Sequence, residues 1–199
     1  MQKIYVDIRN IEFGENIIDV CYEGNSIINE LISFKFNDVE KNITNLNEIK
    51  KINTKYDSCI FFFTLSRGVN RFKFIKIIKA LIKSLDKGSK IYIWDIVLSN
   101  QFFINYEVNV EGEFGIKKMP LKIIFKPFRL TFLDILRILE NNGFKINNSV
   151  INNNVFYIEA EFIREEKLDK NEDSISSIKR KIRSFKPSYK IFKKGNRRL

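Results

Sequence analysis

Two uninterrupted apolar runs separated by an amphipathic segment constrain the fold of this chain most strongly. The first run is residues 59–63 (CIFFF) and the second is residues 91–94 (IYIW). Neither alternates with polar residues, so both predict strands that are covered on two faces. Between the runs, apolar residues recur at helical spacing and the DKG of residues 86–88 is expected to close the helix. The helix face consists of Phe74, Ile75, Ile78, Leu81 and Ile82.

The segment from residue 56 to residue 97 therefore predicts a strand, a crossover helix and a second, parallel strand, with a right-handed connection. In open α/β sheets, ligands bind beyond the carboxyl ends of the strands. That position is occupied by residues 64–67 (TLSR) after the first strand and by Asp95 after the second. We expect the chemistry of the protein at this edge.

The N-terminal part of the chain predicts further elements of the same kind. Residues 16–21 predict a short buried strand, a turn follows, and Asn25 or Ser26 begins a helix. Residues 34–39 predict another strand. Residues 3–8 alternate and predict an exposed strand or a lead-in segment that packs against the rim of the sheet.

The C-terminal part of the body predicts a helix and a hairpin. The helix begins at Thr131, with Asp134 completing a capping box, and stops at Gly143. Residues 144–150 and 155–163 predict two antiparallel strands joined by an Asn turn. Residues 98–118 show little periodicity, and a lid, an insertion and a loose hairpin remain open for them.

Composition excludes several classes of chemistry. The chain contains no histidine, which rules out catalytic schemes and metal sites that depend on imidazole. The two cysteines, Cys21 and Cys59, fall in predicted buried strands and are interpreted as core residues of a protein in a reducing compartment. No signal peptide and no apolar span of about 18 residues is recognised, so we expect a cytoplasmic protein without a transmembrane segment. No metal site is predicted.

The order of these elements resembles the class I S-adenosylmethionine (SAM) dependent methyltransferases over roughly residues 14–163. Residues 16–24 (NIIDVCYEG) are similar to the first-strand motif of that family, an apolar stretch followed by Asp-x-Gly-x-Gly-x-Gly. Residues 56–63 (YDSCIFFF) resemble its fourth strand, residues 85–95 (LDKGSKIYIWD) its fifth, and residues 136–146 (LRILENNGFKI) its late helix and Gly-Phe step. The chain looks like a small methyltransferase-like protein of low-GC bacteria.

The resemblance implies a Rossmann-like α/β fold: a mostly parallel sheet with helices on both faces and a C-terminal antiparallel hairpin. The methyltransferase-like domain would span residues 1–163, and a charged linker and basic tail, partly helical or disordered, would span residues 164–199. The resemblance also implies SAM as the cofactor. Its binding residues would be Asp19, Cys21, Glu23, Gly24, Asp38, Thr64 and Ser66.

The glycine motif is degenerate here, because Cys21, Glu23 and Asn25 stand where the family has glycine. The sequence TLSR of residues 64–67 also differs from the Asn/Asp-Pro-Pro-aromatic motif of enzymes that methylate exocyclic amines, so that substrate class is not predicted. Asp95 is the candidate catalytic base or orienting group, with the capping of a loop as the alternative. For Asp19 the alternative is a structural role.

The basic charge of the chain is concentrated in its last 21 residues. The net charge is +11, and residues 179–199 carry ten basic side chains and no acidic one. Aromatic residues lie between them, a pattern typical of segments that bind RNA or another polyanion. An anionic membrane surface and a merely solvated tail are alternatives. The candidate nucleic-acid contacts are Lys179, Arg180, Lys181, Arg183, Lys186, Lys190, Lys193, Lys194, Arg197 and Arg198.

Two functional hypotheses follow from the sequence. The first is a SAM-dependent methyltransferase whose acceptor is unknown. The second is a catalytically degenerate methyltransferase-fold module that binds RNA or another acidic partner through its basic tail. The first hypothesis describes an enzyme, and the second describes a binding protein without catalytic activity.

Overall fold

The computed structural model describes residues 2–21, 28, 31, 54–97, 103–113, 115–124 and 130–163. These ranges belong to one compact unit, Met1–Glu165. The predicted strand at residues 34–39 and the chain from residue 164 onward lie outside them. The elements within the described ranges are, in chain order, β1 (Gln2–Asp7), β2 (Ile17–Asp19), β3 (Tyr56–Phe62), α1 (Arg71–Leu81), a 3-10 turn (Ile82–Ser84), β4 (Leu85–Ile96), β5 (Phe103–Gly112), β6 (Gly115–Ile124), α2 (Phe132–Asn141), β7 (Phe144–Asn152) and β8 (Val155–Phe162).

A five-stranded mixed sheet forms the centre of the protein. Its spatial order is β2-β3-β4-β8-β7, and β2, β3 and β4 run parallel to one another. β8 is antiparallel to both of its neighbours. The strand-helix-strand unit predicted from the two apolar runs is confirmed, because β3, α1 and β4 follow one another and β3 pairs with β4 in parallel.

Helices α1 and α2 cover one face of this sheet. Phe74, Ile78 and Leu81 of α1 are buried in the same cluster as Ile135 and Leu139 of α2. Asn70 caps α1, since its side-chain oxygen accepts a hydrogen bond from the Lys73 amide at 2.9 Å.

The end of α1 differs from the prediction. The helix stops at Leu81, and residues 86–88 already lie in β4. There the Ser89 hydroxyl accepts a hydrogen bond from the Asp86 amide and donates one to the Tyr56 carbonyl, which ties the start of β4 to β3.

The predicted C-terminal helix and hairpin are confirmed. Thr131 and Asp134 form a reciprocal capping box at the start of α2, and Gly143 follows the helix with φ of 87°. Asn153 and Asn154 join β7 to β8 with φ angles of 46° and 67°. Two consecutive positive φ angles are the signature of the tight hairpin turns that asparagine tolerates well.

A second, three-stranded sheet, which the sequence did not predict, packs on the other face. β1 pairs in parallel with β5, and β5 pairs antiparallel with β6. Val6, Val108 and Leu121 from this sheet pack in one buried cluster with Tyr92 and Trp94 from β4. Two helical residues, Ile28 and Leu31, belong to the same cluster.

This second sheet bears on two of the predictions. The described residues between 103 and 118 belong to the β5–β6 hairpin, and β1 (Gln2–Asp7) is a strand of a separate sheet instead of packing on the rim of the main one. Within the described ranges, no helix has both the length and the apolar character needed to cross a bilayer.

Candidate ligand-binding edge

The carboxyl ends of β2, β3 and β4 meet at one edge of the five-stranded sheet. Asp19 pairs with Ile60, which in turn pairs with Tyr92, so the three strands end side by side. The Thr64 hydroxyl donates to the Val20 carbonyl at 2.7 Å and thereby joins the end of β3 to the end of β2. The structure therefore brings together five of the predicted site residues: Asp19, Cys21, Thr64, Ser66 and Asp95.

Asp95 connects the end of β4 to the segment that follows β3. One of its carboxylate oxygens accepts hydrogen bonds from the amides of Leu65 at 2.7 Å and Ser66 at 3.0 Å. The other oxygen accepts from its own neighbour, the Ile96 amide, at 2.8 Å. Since the side chain is 1% exposed, these three bonds replace the water that a surface carboxylate would have. The contacts are those of an Asp that fixes the backbone after β3.

Two opposing effects act on the pKa of Asp95. Burial raises the pKa, while the Ser66 side chain and the amides of Ile96, Ser66 and Leu65 act in the opposite direction by stabilising the ionised form. The net shift is upward. A raised pKa is compatible with a general base, but both oxygens of this carboxylate are already engaged by backbone donors.

Asp19 ends β2 and Cys21 follows two residues later, both in a buried environment. Asp19 is 1% exposed, and burial raises its pKa to about 7. It also influences Cys59 on the neighbouring strand, where burial, with a smaller contribution from the charge of Asp19, raises the pKa of the thiol. Cys59 is therefore a neutral core residue at physiological pH, as its position in the sequence predicted. Cys21 is likewise buried and not part of a disulfide.

Two polar side chains immediately after β3 retain unused hydrogen-bonding capacity. The Ser66 hydroxyl and the Nε of Arg67 are shielded from solvent and form no hydrogen bond with any described residue. The Ser66 hydroxyl is close enough to Asp95 to lower the pKa of that carboxyl, but the pair lacks hydrogen-bond geometry. Buried polar atoms without partners are uncommon in folded proteins, and each calls for an explanation such as a bound water, an ion or a catalytic role.

Arg67 is the more informative of the two. One terminal nitrogen of its guanidinium lies 3.6 Å from the thioether sulfur of Met119 on β6, a weak acceptor. No carboxylate within the described ranges forms an ion pair with it. Arginine stays charged at every physiological pH, so a half-buried guanidinium without a carboxylate is suited to an anionic ligand group.

Arg67 lies at the candidate edge, but the sequence did not assign it to binding. The sequence placed it directly after a buried strand and gave no sign that none of the described carboxylates would pair with it. The sequence feature that could have indicated a binding role is the presence of arginine at the end of a strand, in a chain that otherwise favours lysine.

Several predicted site residues lie outside the described ranges. They include Glu23, Gly24 and Asp38, so the glycine motif after Cys21 and the predicted ribose contact stay predictions. The same holds for the basic tail, whose ten candidate nucleic-acid contacts all lie beyond residue 163.

Comparison with known proteins gives a result at the level of the fold. No protein-family model matches the chain, and no curated protein matches it significantly in sequence. A SAM-dependent methyltransferase from Clostridium acetobutylicum superposes with a TM-score of 0.52 at 13% identity, covering 76% of this chain and 86% of that one. A SAM-dependent methyltransferase from Methanosarcina mazei gives a TM-score of 0.51 at 11% identity, covering 78% and 95%. The chain therefore has the fold of the class I SAM-dependent methyltransferases.

Proposed function

We propose that this protein is a SAM-dependent methyltransferase of the class I type. The observation that carries the proposal is the presence of unused hydrogen-bond donors at the edge where β2, β3 and β4 end. These donors are the Ser66 hydroxyl and the Arg67 Nε, and they lie where α/β proteins of this architecture bind ligands. The fold shared with SAM-dependent methyltransferases supports the assignment.

The chemistry of this edge fits SAM. The cofactor carries a carboxylate and ribose hydroxyls, and an unpaired guanidinium is the preferred protein partner of a carboxylate. Arg67 would hold the carboxylate, and Ser66 would donate to a second oxygen of the ligand. From the resemblance, the segment after Cys21, with Glu23 and Gly24, would lie against the cofactor, and Asp38 would bind the ribose. Thr64, whose hydroxyl donates to the Val20 carbonyl, would hold the end of β2 in place beside the cofactor.

When bound, SAM supplies a methyl group on a positively charged sulfur, which is an activated electrophile. Such a transfer depends mainly on the positioning of the two reactants, and a general base is needed only for a poor nucleophile. The absence of histidine is compatible with this requirement. The protein's own contribution is a rigid, water-poor edge on which donor groups have fixed positions.

Asp95 contributes to this rigidity as a positioning residue. Two of its three accepted hydrogen bonds fix the amides of Leu65 and Ser66, and Arg67 follows directly in the chain. Substituting Asp95 should therefore disturb the placement of Arg67. A direct role of Asp95 as base is the remaining prediction from sequence, and the two roles are distinguished by the stability measurement described in the Discussion.

Calorimetric titration with SAM and with its demethylated product tests the proposed function. We expect both to bind the natural protein, and the Cys21→Gly variant, which restores a glycine of the family motif, to bind at least as tightly. Charged hydrogen bonds contribute about 1.5–3 kcal/mol, so Arg67→Gln should weaken binding roughly tenfold to a hundredfold. Arg137→Gln is the matched control, since Arg137 is an exposed arginine on α2.

Arg67→Lys separates the two contributions of the arginine. It keeps the positive charge but loses the planar fork, so its affinity should lie between those of the natural protein and Arg67→Gln. If neither the natural protein nor Cys21→Gly binds SAM or its product, the proposal is wrong. Equal affinities of Arg67→Gln and Arg137→Gln would remove Arg67 from the binding site.

A further inference from the structure

Arg67 and Met119 link the two sheets at the candidate ligand-binding edge. Arg67 follows β3 of the five-stranded sheet, whereas Met119 lies on β6 of the three-stranded sheet. One terminal nitrogen of the guanidinium lies 3.6 Å from the Met119 sulfur. Among the described residues, Met119 is the only one to which the Arg67 side chain is hydrogen-bonded, and the Nε forms no hydrogen bond. The thioether is therefore the contact that orients the guanidinium.

The position of Met119 on β6 explains why its sulfur reaches this edge. Alternate residues of the strand face the five-stranded sheet, and two of them, Leu121 and Ile123, are buried in the core between the sheets. Met119 is the next residue in this row, packs against the same core and is only partly buried. Its backbone pairs with Val108 of β5, which is fully buried. The row therefore leaves the core at Met119, whose backbone is fixed by the strand pairing.

The backbone of Arg67 is fixed as well. The two residues before it are held through their amides by Asp95. The two residues after it, Gly68 and Val69, donate from their amides to the Leu65 carbonyl, at 3.3 Å and 3.1 Å. Arg67 thus projects from a closed turn, and its freedom is confined to the long side chain. Because an arginine side chain has many rotamers, a contact at its far end restricts where the charge lies.

Methionine is suited to this position because its sulfur is a weak and uncharged acceptor. A carboxylate in its place would form a bidentate ion pair with the guanidinium and compensate its charge. A hydrocarbon side chain would accept no hydrogen bond and would leave the guanidinium able to adopt other rotamers. The thioether lies between these extremes, since it restricts the orientation of the guanidinium and leaves the charge for another anion.

The acidic side chains at the carboxyl ends of β2 and β4 compensate this charge only in part. Both oxygens of Asp95 are engaged by backbone amides, and burial raises its pKa. Asp19 is buried as well, and burial raises its pKa to about 7, so only part of its population is ionised at neutral pH. Neither carboxyl forms an ion pair with Arg67. An anionic ligand group therefore meets a net attraction from the guanidinium.

We propose that Met119 is a positioning residue of the cofactor site: its thioether orients the Arg67 guanidinium and leaves the charge for the carboxylate of SAM. The three-stranded sheet thereby contributes to the cofactor site, since β6 carries this residue. The inference rests on the proposed methyltransferase function and on the role of Arg67 in it. It adds to that function a residue that acts on the ligand only through Arg67.

Two ligands that differ only in the carboxylate make this role measurable. S-adenosylhomocysteine, the demethylated product of SAM, carries the carboxylate, and its decarboxylated analogue S-adenosyl-3-thiopropylamine keeps the rest of the molecule, including the amino group. Calorimetric titration with both gives a ratio of affinities for each variant. A change that acts through Arg67 alters this ratio, whereas general damage to the fold weakens both ligands alike. We expect the natural protein to prefer the carboxylate by about tenfold to a hundredfold, the effect of a charged hydrogen bond.

Three substitutions at Met119 vary the acceptor. Met119→Leu keeps the approximate volume and removes the acceptor, so ligand binding has to order the guanidinium, and the ratio should fall by about twofold to tenfold. Met119→Gln restores an uncharged acceptor and should keep the ratio of the natural protein. Met119→Glu places a carboxylate against Arg67 and compensates its charge, so the preference for the carboxylate ligand should be lost.

Two controls distinguish an action through Arg67 from an effect on β6 itself. Ile116 is 63% exposed and lies on the outer face of the same strand, so Ile116→Glu adds the same charge away from Arg67 and should leave the ratio unchanged. In the Arg67→Gln background, Met119→Leu should have no further effect on the ratio, because the group that it positions is absent.

The outcomes separate this inference from the proposed function. An unchanged ratio in both Met119→Leu and Met119→Glu, with binding of S-adenosylhomocysteine intact, would overturn the inference and leave the proposed function standing. Equal weakening of both ligands would also overturn it, because Met119 would then only support the fold. A natural protein that binds neither SAM nor its product would refute the proposed function and this inference with it. A ratio that is lowered by leucine, kept by glutamine and abolished by glutamate is the expected result.

Discussion

Replacement of Asp95 by asparagine tests whether this residue positions the backbone or acts as a base. The carboxylate accepts three amide hydrogen bonds, two on one oxygen and one on the other. An asparagine keeps one oxygen and exchanges the other for an NH2 group, which donates and cannot accept. The orientation of the asparagine amide that loses the fewest hydrogen bonds keeps those from Leu65 and Ser66. It places the new NH2 group opposite the Ile96 amide, so two donors face each other.

The expected change in the free energy of unfolding follows from the loss of the hydrogen bond to the Ile96 amide. One buried amide donor without an acceptor costs about 1–3 kcal/mol, and the remaining two bonds become weaker because the acceptor is no longer charged. Asparagine also removes the cost of burying a charge, which offsets part of the loss. We expect Asp95→Asn to lower the free energy of unfolding by about 2 kcal/mol, equivalent to a fall in Tm of roughly 4–8 °C for a chain of this size.

Urea denaturation at pH 7, with tryptophan fluorescence and circular dichroism as probes, measures this change. Asp86→Asn is the control, because Asp86 lies at the other end of the same strand and its side chain is 67% exposed, where it forms a surface ion pair with Lys55. Exposed pairs of this kind contribute less than about 1 kcal/mol. Unchanged or increased stability of Asp95→Asn, combined with a complete loss of methyl transfer, would refute the positioning role and favour a catalytic base.

Three further predictions concern the rest of the body. The pKa of Asp19 is raised from 3.8 to about 7, so its contribution to stability is full below about pH 4 and is lost as the pH rises through 7. Between pH 5 and pH 8 the free energy of unfolding of the natural protein should fall by about 2–3 kcal/mol, and urea denaturation should show no such fall in Asp19→Asn. An equally steep pH dependence in the variant would contradict this prediction. A Cβ on Gly14 would overlap the Asp57 carboxylate, which accepts from the amides of Glu15 and Asn16 at 3.0 Å, so Gly14→Ala should cost about 1–3 kcal/mol in thermal unfolding, and an unchanged Tm would contradict this prediction. Thr131→Ala removes the N-cap of α2 and should cost about 1 kcal/mol, and no change in Tm would show that the capping box contributes nothing to the stability of the folded protein.

Local patterns predicted the elements whose signals are contained in short stretches of sequence. The run at residues 59–63 has no polar interruption, and every one of its residues is buried in the structure. The capping box of Thr131 and Asp134 and the two asparagines at the β7–β8 turn were also recognisable, because each depends on residues a few positions apart.

The three-stranded sheet was not predicted, although part of its signal was present. In β5, Tyr106, Val108 and Val110 are buried and alternate with polar residues, as in a strand with one wet face. Such alternation shows that one face is covered but does not identify the element that covers it. The pairing of β1 with β5 joins segments about a hundred residues apart, and neither segment alone specifies the other.

The sequence by itself determined the parallel strand-helix-strand unit, the capped C-terminal helix, the closing hairpin and the edge at which ligand chemistry was to be sought. Periodicity, capping and turn chemistry are local, and the carboxyl ends of parallel strands necessarily share an edge. Tertiary structure alone decided what each group at that edge does. Asp95 accepts from amides 29 and 30 residues away, and Arg67 contacts a thioether 52 residues away instead of a carboxylate. Hydrogen bonding and burial at such separations depend on how the chain packs in space, so only the folded structure identifies which polar atoms are satisfied and which have no partner among the described residues.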